Sequence, residues 1–128
     1  MPPASIRRGR HRAESLMQDT CTIRRVTGET LDEDTLEIVP TYETIYAGKC
    51  KVQAQTTLQS SAQEIGGRVA TVVTRRVDVP TSAPEVQVND EVVIDTSLDG
   101  QLVGKTFRIT TPFAKTFATA RRLEVQEP

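Results

Sequence analysis

The chain has 128 residues, of which 37% are hydrophobic and only 4% aromatic, with no Trp. That suffices for one domain whose core is built from Val, Ile, Leu, Ala and Thr methyls, a composition that favours strand over helix. A net charge of -1 excludes a global pull towards nucleic acid or membrane, and no apolar run approaches the ~20 residues of a membrane span. The basic N-terminus is followed by no apolar stretch, so it does not read as a secretory signal, and the expectation is a soluble protein made and used in a cytoplasm.

Residues 1–19 are expected to form a basic helical arm, and 20–128 a single β domain. Ala4 to Gln18 carries Ile6, Ala13, Leu16 and Met17 near one side at helical spacing, with Gly9 interrupting the pattern. The other faces hold Arg7, Arg8, Arg10, His11 and Arg12. That cluster is either a solvated face or a contact for an acidic protein surface or a phosphate backbone. Cys21 to Val26 reads as the first strand, broken by Thr27-Gly28. The acidic stretch Glu29 to Glu37, with Asp32, Glu33 and Asp34 at its centre, reads as a loop. Leu36, Ile38 and Val39 could add a short strand before Pro40. Thr41 to Ala47 holds Tyr42, Ile45 and Tyr46, and Gly48 looks like a turn into the next strand.

Lys49 to Gln55 alternates, with Cys50, Val52 and Ala54 on one face, and the alternation resumes from Arg68 to Pro80, where Val69, Thr71, Val73, Val77 and Val79 share a face. Between them lie Thr56, Thr57, Leu58, Gln59, Ser60, Ser61, Ala62, Gln63, Glu64, Ile65, Gly66 and Gly67. This is too long for a tight hairpin, whose loops span about 2–5 residues, and too polar for a core. It is the leading candidate for the working part. Pro80 to Pro84 is a connector, Glu91 to Asp95 a short apolar strand, and Asp99-Gly100 a turn dipeptide. Lys105 to Thr111 directs Phe107 and Ile109 one way, Pro112 ends it, and Thr116 to Gln126 turns Phe117, Leu123 and Val125 inward. The expected fold is all-β: a small antiparallel barrel or sandwich of six or seven short strands, preceded by an N-terminal helix and carrying one long inter-strand loop.

Residues that carry chemistry are sparse. His11 is the only histidine and sits among arginines, a poor position for a general base. Cys21 and Cys50 are far apart in sequence, with no second pair to make a framework or metal site, and read as buried free thiols. Asp90, Glu91, Asp95 and Asp99 form the nearest thing to a carboxylate cluster, at positions where acids serve turns. Phosphate-binding glycine motifs are missing. The residues point to a non-enzymatic interaction domain with no cofactor and no metal.

The order of segments adds a resemblance. A basic helix runs into Met17-Gln18-Asp19-Thr20-Cys21-Thr22-Ile23. Tyr46-Ala47-Gly48-Lys49-Cys50-Lys51-Val52-Gln53 and Arg75-Arg76-Val77-Asp78-Val79-Pro80 follow. Asn89-Asp90-Glu91-Val92-Val93-Ile94, Leu102-Val103-Gly104-Lys105-Thr106-Phe107-Arg108-Ile109 and Ala118-Thr119-Ala120-Arg121-Arg122-Leu123 complete the series. This succession resembles the head-to-tail stopper (head-closure) proteins of long-tailed phages, particularly those infecting actinobacteria. The resemblance implies a small barrel that assembles as a homo-oligomeric ring, six-fold or else twelve-fold, in the virion neck. Its neighbours would be the head-tail adaptor, the tail terminator or tail tube protein, and genomic double-stranded DNA in the channel, with no membrane. By position, Thr56 to Gly67 matches the loop that enters the channel in that family. Its one charge, Glu64, suits a gate or low-friction lining better than a cationic clamp. Arg7, Arg8, Arg10 and Arg12 would then dock on an acidic adaptor surface, and Asp32, Glu33 and Asp34 on a basic neighbour. The alternatives are a related tail-completion or minor tail structural protein, and an OB-like barrel binding single-stranded nucleic acid, which calls for aromatics interleaved with basic residues.

Overall fold

The computed structural model describes residues 3–59, 70–112, 116 and 118–127. A helix α1 (Ala4–Ser15) leads into six strands: β1 (Asp19–Leu31), β2 (Ile38–Gln59), β3 (Ala70–Val79), β4 (Glu91–Thr96), β5 (Thr106–Pro112) and β6 (Arg121–Gln126). Every neighbouring pair is antiparallel, and the order β1-β2-β3-β6-β5-β4 returns to β1 as a small, irregular closed barrel. Closure pairs the strand edges that an open sheet would leave exposed. The all-β barrel with one leading helix is as the composition and patterning imply.

The strands are not uniformly short. β2 has 22 residues and β1 has 13, against 6 each for β4 and β6. At roughly 3.3 Å per residue, β2 spans about 70 Å, whereas β4 and β6 on the far side of the barrel span about 20 Å each. β2 therefore overhangs the barrel at both ends. Its first half pairs with β1 from Leu31↔Ile38 to Asp19↔Cys50, although β1 itself pairs with β4 only from Thr20 to Arg24. Its second half pairs with β3 from Lys51↔Asp78 to Gln59↔Ala70, although β3 pairs with β6 only from Arg75 to Val79. Two-stranded arms thus leave opposite ends of the barrel. Register shifts at Ile23/Arg24 and Val26/Gly28 mark where the first arm departs, as bulges do where a strand must bend away from its sheet.

Several sequence expectations change here. The acidic stretch is not all loop, because Glu29 to Leu31 is strand. Pro40 sits inside β2 opposite Glu29. Gly48 makes no turn; it pairs with Cys21 in mid-strand. Tyr46 folds over it, its hydroxyl donating to the Lys49 carbonyl at 2.7 Å, and a Cβ on Gly48 would fall 2.8 Å from that hydroxyl. The glycine makes room for a ring rather than a bend. Thr56 to Gln59 are strand backbone, not loop, whereas Ser60 to Gly67 lie outside the described residues. The last strand starts at Arg121 rather than Thr116, so Arg121 and Arg122 open it, and Phe117 lies outside the described residues. Pro112 is the final residue of β5, still paired with Leu123.

The core follows the alternation. Cys21, Ile23, Cys50, Val77, Val79, Val92, Ile94, Phe107, Ile109, Leu123 and Val125 are buried in one cluster, closed at its margin by Ala83 and Val86 of the β3–β4 connector. Many face each other directly across the ladder: Cys21↔Ile94, Ile23↔Val92, Val92↔Phe107, Val77↔Leu123 and Ile109↔Val125. Such cross-strand pairs are the unit of sheet stabilisation. Phe107 is the largest fully buried side chain among the described residues.

Helix α1 ends at Ser15, three residues before the expected limit. Ile6, Gly9, Arg10, Ala13, Glu14 and Met17 recur at three- and four-residue spacing and form its shielded side, while Leu16 is exposed. Gly9 is part of that contact, not an interruption of it: a Cβ there would come within 2.9 Å of the Thr119 methyl. Arg10 Nε donates to the Ala118 carbonyl at 2.9 Å, and Lys49 reaches Glu14 at 3.7 Å. The helix is fastened to the barrel.

Candidate interaction surfaces

Four features stand out above the barrel scaffold. The first is the β1–β2 arm. Its tip turns through Asp32 to Glu37, with the Asp32 N–H donating to the Glu37 carbonyl at 2.8 Å and the Leu36 N–H to the Asp32 carbonyl at 2.7 Å. The Asp32 carboxylate accepts from the Asp34 N–H at 3.0 Å, and Leu36 takes a positive φ of 59°. Apolar side chains at this tip face water: Leu31 is 55% exposed, Leu36 76% and Ile38 68%. Glu29, Glu33, Asp34 and Glu37 surround them, also exposed. Nearer the barrel, Arg24 stacks 3.9 Å above the Tyr42 ring and bonds Glu91 at 2.9 Å, which braces the arm against β4.

The second feature is the outer face of α1. Arg7, Arg8, His11 and Arg12 are exposed along one side, and Ala4, Arg7, Arg8 and His11 line an open depression of about 350 Å³. The expectation that the four arginines act together is corrected for Arg10, whose guanidinium is turned inward to the Ala118 carbonyl. The acidic expectation is similarly refined: Asp32 builds the turn, leaving Glu33 and Asp34 to project.

The third feature lies where the β2–β3 arm leaves the barrel. Gln53 Nε2 donates to Asp78 Oδ2 at 2.8 Å, Arg76 Nε to Asp78 Oδ1 at 2.9 Å, and Arg76 Nη2 to Gln53 Oε1 at 2.9 Å. With Asp78 nearly buried, this closed triangle locks the register of β2 against β3. A small hollow of about 100 Å³ beside it is lined by Gln53, Ala54, Thr74, Arg76 and Glu124.

The fourth is a staple between β1 and the corner before β4. Asp90 is buried; its carboxylate accepts from Arg25 Nε and Nη2, each at 3.0 Å, and from the Gln87 N–H at 2.8 Å. The hydrogen bond to Asp90 raises the Arg25 guanidinium further above its ordinary value. The corner is laced to β5 as well, through the Asn89 N–H to the Ile109 carbonyl and the Ile109 N–H to the Asp90 carbonyl, both 2.8 Å, with Asn89 at a φ of 75°. Of the carboxylates grouped in the sequence, Asp90 is structural, Glu91 pairs with Arg24, Asp95 accepts from the Thr22 hydroxyl at 2.7 Å, and Asp99 accepts from the Gln101 N–H within its turn. They do not converge. Among the described residues there is no grouping of three His, Cys, Asp or Glu side chains that could hold a metal ion, and no helix is long and apolar enough to cross a membrane.

Cys21 and Cys50 are both free and wholly buried, side by side on β1 and β2. Hydrogen bonding to Cys50 and burial push the Cys21 thiol far above its ordinary range, so it stays protonated. Tyr46 is pushed up to about 12, chiefly by burial.

Sequence reasoning missed both arms, the triangle at Gln53 and the Arg25 staple. The β1–β2 arm had a signal: Ile38, Tyr42, Ile45, Tyr46, Cys50 and Val52 carry an apolar strand pattern on across Pro40 and Gly48. The staple and the triangle had none, since their partners lie 65 and 25 residues apart.

Fold and surfaces together define a small antiparallel barrel extended by two hairpin arms and carrying a basic helix. The chain belongs to DUF6093, a family of unknown function, whose profile matches residues 9–126. It is similar to the solution structure of protein SF1141 from Shigella flexneri 2a, with a TM-score of 0.52, 20% identity, and coverage of 87% of this chain and 92% of that one. At that identity the likeness establishes the fold alone. No curated protein matches the sequence.

Proposed function

We propose that this protein is a structural component of the virion neck of a long-tailed phage: a head-to-tail stopper that forms a homo-oligomeric ring below portal and adaptor, closes the DNA channel and presents a docking face to the tail. What carries the reading is strand β2, whose two overhangs send arms from opposite ends of one barrel. A ring subunit in a layered neck needs contacts to its ring neighbours, to the layer above, to the layer below, and a projection towards the lumen. A closed barrel with oppositely directed arms and a separate basic helix meets that requirement. The resemblance of the succession of segments to stopper proteins supports the same reading.

In this proposal the β2–β3 arm points to the lumen, stiffened at its base by Gln53, Arg76 and Asp78. Six-fold symmetry is the expectation and twelve-fold the alternative. A related tail-completion protein would share the architecture and differ in position. An OB-like binder of single-stranded nucleic acid has less support: Phe107 is fully buried, Tyr46 covers Gly48 and Tyr42 is already stacked by Arg24, leaving no run of free rings among the described residues.

The test is a neck reconstruction from intact particles of a phage encoding this chain, with symmetry left free. A ring of this fold between portal and tail, with the β2–β3 arm at the lumen, is the expected result. Density into which the barrel cannot be placed would overturn the proposal. Placement at the far end of the tail tube would select the tail-completion alternative.

A further inference from the structure

We infer that the tip of the β1–β2 arm of one copy docks on the exposed face of helix α1 of the next copy, a head-to-tail contact between identical chains. It rests on the ring proposed above only for the closed form of the assembly. Three observations carry it.

The tip is an apolar surface without a cover. Leu31, Leu36 and Ile38 are each more than half exposed at the end of a two-stranded projection, rimmed by Glu29, Glu33, Asp34 and Glu37. An apolar centre with a charged rim is the pattern of a recognition patch rather than of scattered surface residues.

The complementary surface is on the same chain. Arg7, Arg8, His11 and Arg12 share the solvent face of α1, and the depression lined by Ala4, Arg7, Arg8 and His11 has room for aliphatic side chains. The acidic rim and the basic face are the two separated charge blocks of a chain whose total is -1.

The two patches cannot meet within one molecule. Helix α1 joins the barrel at Asp19, and the arm tip begins at Leu31, at the other end of the same strand. At roughly 3.3 Å per residue, β1 sets Leu31 about 40 Å from Asp19, and the contacts of α1 with Ala118, Thr119 and Lys49 keep it at the Asp19 end. The Arg25–Asp90 staple and the Arg24–Glu91 bond fix the base of the arm, so it does not fold back. Complementary patches at opposite ends of a rigid lever are satisfied only between copies. Such a heterologous contact either closes into a ring or runs on as a filament. A hairpin tip covers less than the ~800 Å² per partner of a standard interface, so one contact is weak and closure supplies the rest. Its charges make it sensitive to salt.

The experiment is a charge swap on the full chain, read as mass against concentration by light scattering and mass photometry. The tip variant carries Glu33→Lys, Asp34→Lys and Glu37→Lys; Asp32, which builds the turn, is kept. The helix variant carries Arg7→Glu, Arg8→Glu and Arg12→Glu; Arg10, which holds the helix to the barrel, is kept. The natural chain should assemble at low salt and disperse as salt rises. Each variant alone should need at least about tenfold higher concentration to assemble. An equal mixture should assemble again, because each reversed patch then meets its opposite on the other variant. A natural chain that stays monomeric, single variants that assemble like it, or a mixture that stays dispersed would each overturn the inference. Circular dichroism checks the fold. If a reversed chain fails to fold, Arg7→Gln, Arg8→Gln and Arg12→Gln carry the test through loss of the salt dependence. Restored assembly by the mixture, with no ring in the neck, would leave the contact standing and remove the stopper reading. A neck ring with tip and helix far apart would do the reverse.

Discussion

Replacing Asp90 is the perturbation whose outcome the structure defines most sharply. Its carboxylate is 3% exposed and receives three N–H groups: two from Arg25 and one from the Gln87 backbone. In Asp90→Ala, the Gln87 N–H loses its partner in a partly buried corner, a loss of about 1 kcal/mol. The charge-assisted bonds are worth about 1.5–3 kcal/mol each in protected settings. Arg25 is 29% exposed, however, and its guanidinium can turn to water, which returns much of that. The net expectation is a loss of about 2–4 kcal/mol, or a melting temperature lower by roughly 10 °C for a chain of this size. Asp90→Asn keeps an acceptor for the Gln87 N–H and should lose about half as much. The assay is urea unfolding followed by circular dichroism, with Arg25→Ala and the double variant completing a cycle. The double variant should lose less than the sum of the singles, because both remove one contact. A loss below about 1 kcal/mol for Asp90→Ala, or strict additivity, would refute the staple as the fastening between β1 and the β4 corner.

Phe107→Ala removes the largest fully buried side chain among the described residues and should destabilise by about 3–5 kcal/mol in the same urea assay. Gly9→Val should loosen the helix from the barrel, since its side chain would collide with Thr119, and faster amide exchange or proteolysis at α1 would show it while the barrel melt stays close to that of the natural chain. Stability should fall as pH rises above about 9. Cys21 is held protonated in the fold but ionises in the unfolded chain, so above that pH the unfolded state binds fewer protons and the fold loses up to about 1.4 kcal/mol of stability per pH unit from this group. The contribution is fully present below the unfolded value, and Cys21→Ala should flatten the slope of the urea midpoint between pH 9 and 10.5. Native Cys21 and Cys50, both buried, should resist a disulfide-exchange reagent until urea unfolds the chain; prompt labelling at neutral pH would contradict their placement.

The amino-acid sequence determined the all-β class, the leading helix, and the inward positions of Cys21, Cys50, Val77, Val79, Phe107, Ile109, Leu123 and Val125, whereas the apolar run Val92-Val93-Ile94 left open which side chains face inward. Each of those rests on local periodicity, a property of neighbouring residues. The exposed arginines and the acidic stretch were legible as charge blocks for the same reason. The tertiary structure alone decided where strands end and what they join. Pro40 and Gly48 read as breaks, because each is unfavourable in an isolated strand. Pairing with β1 carries β2 through both, as the ladder opposite Glu29 and Cys21 outweighs the local preference. Asp90 reads as a turn acid until Arg25, 65 residues away, is brought to it. Leu31, Leu36 and Ile38 became an exposed tip only once β1 and β2 paired beyond the barrel. Periodicity records which face a residue takes, whereas register and overhang follow from contacts between segments distant in the chain, which no local pattern encodes.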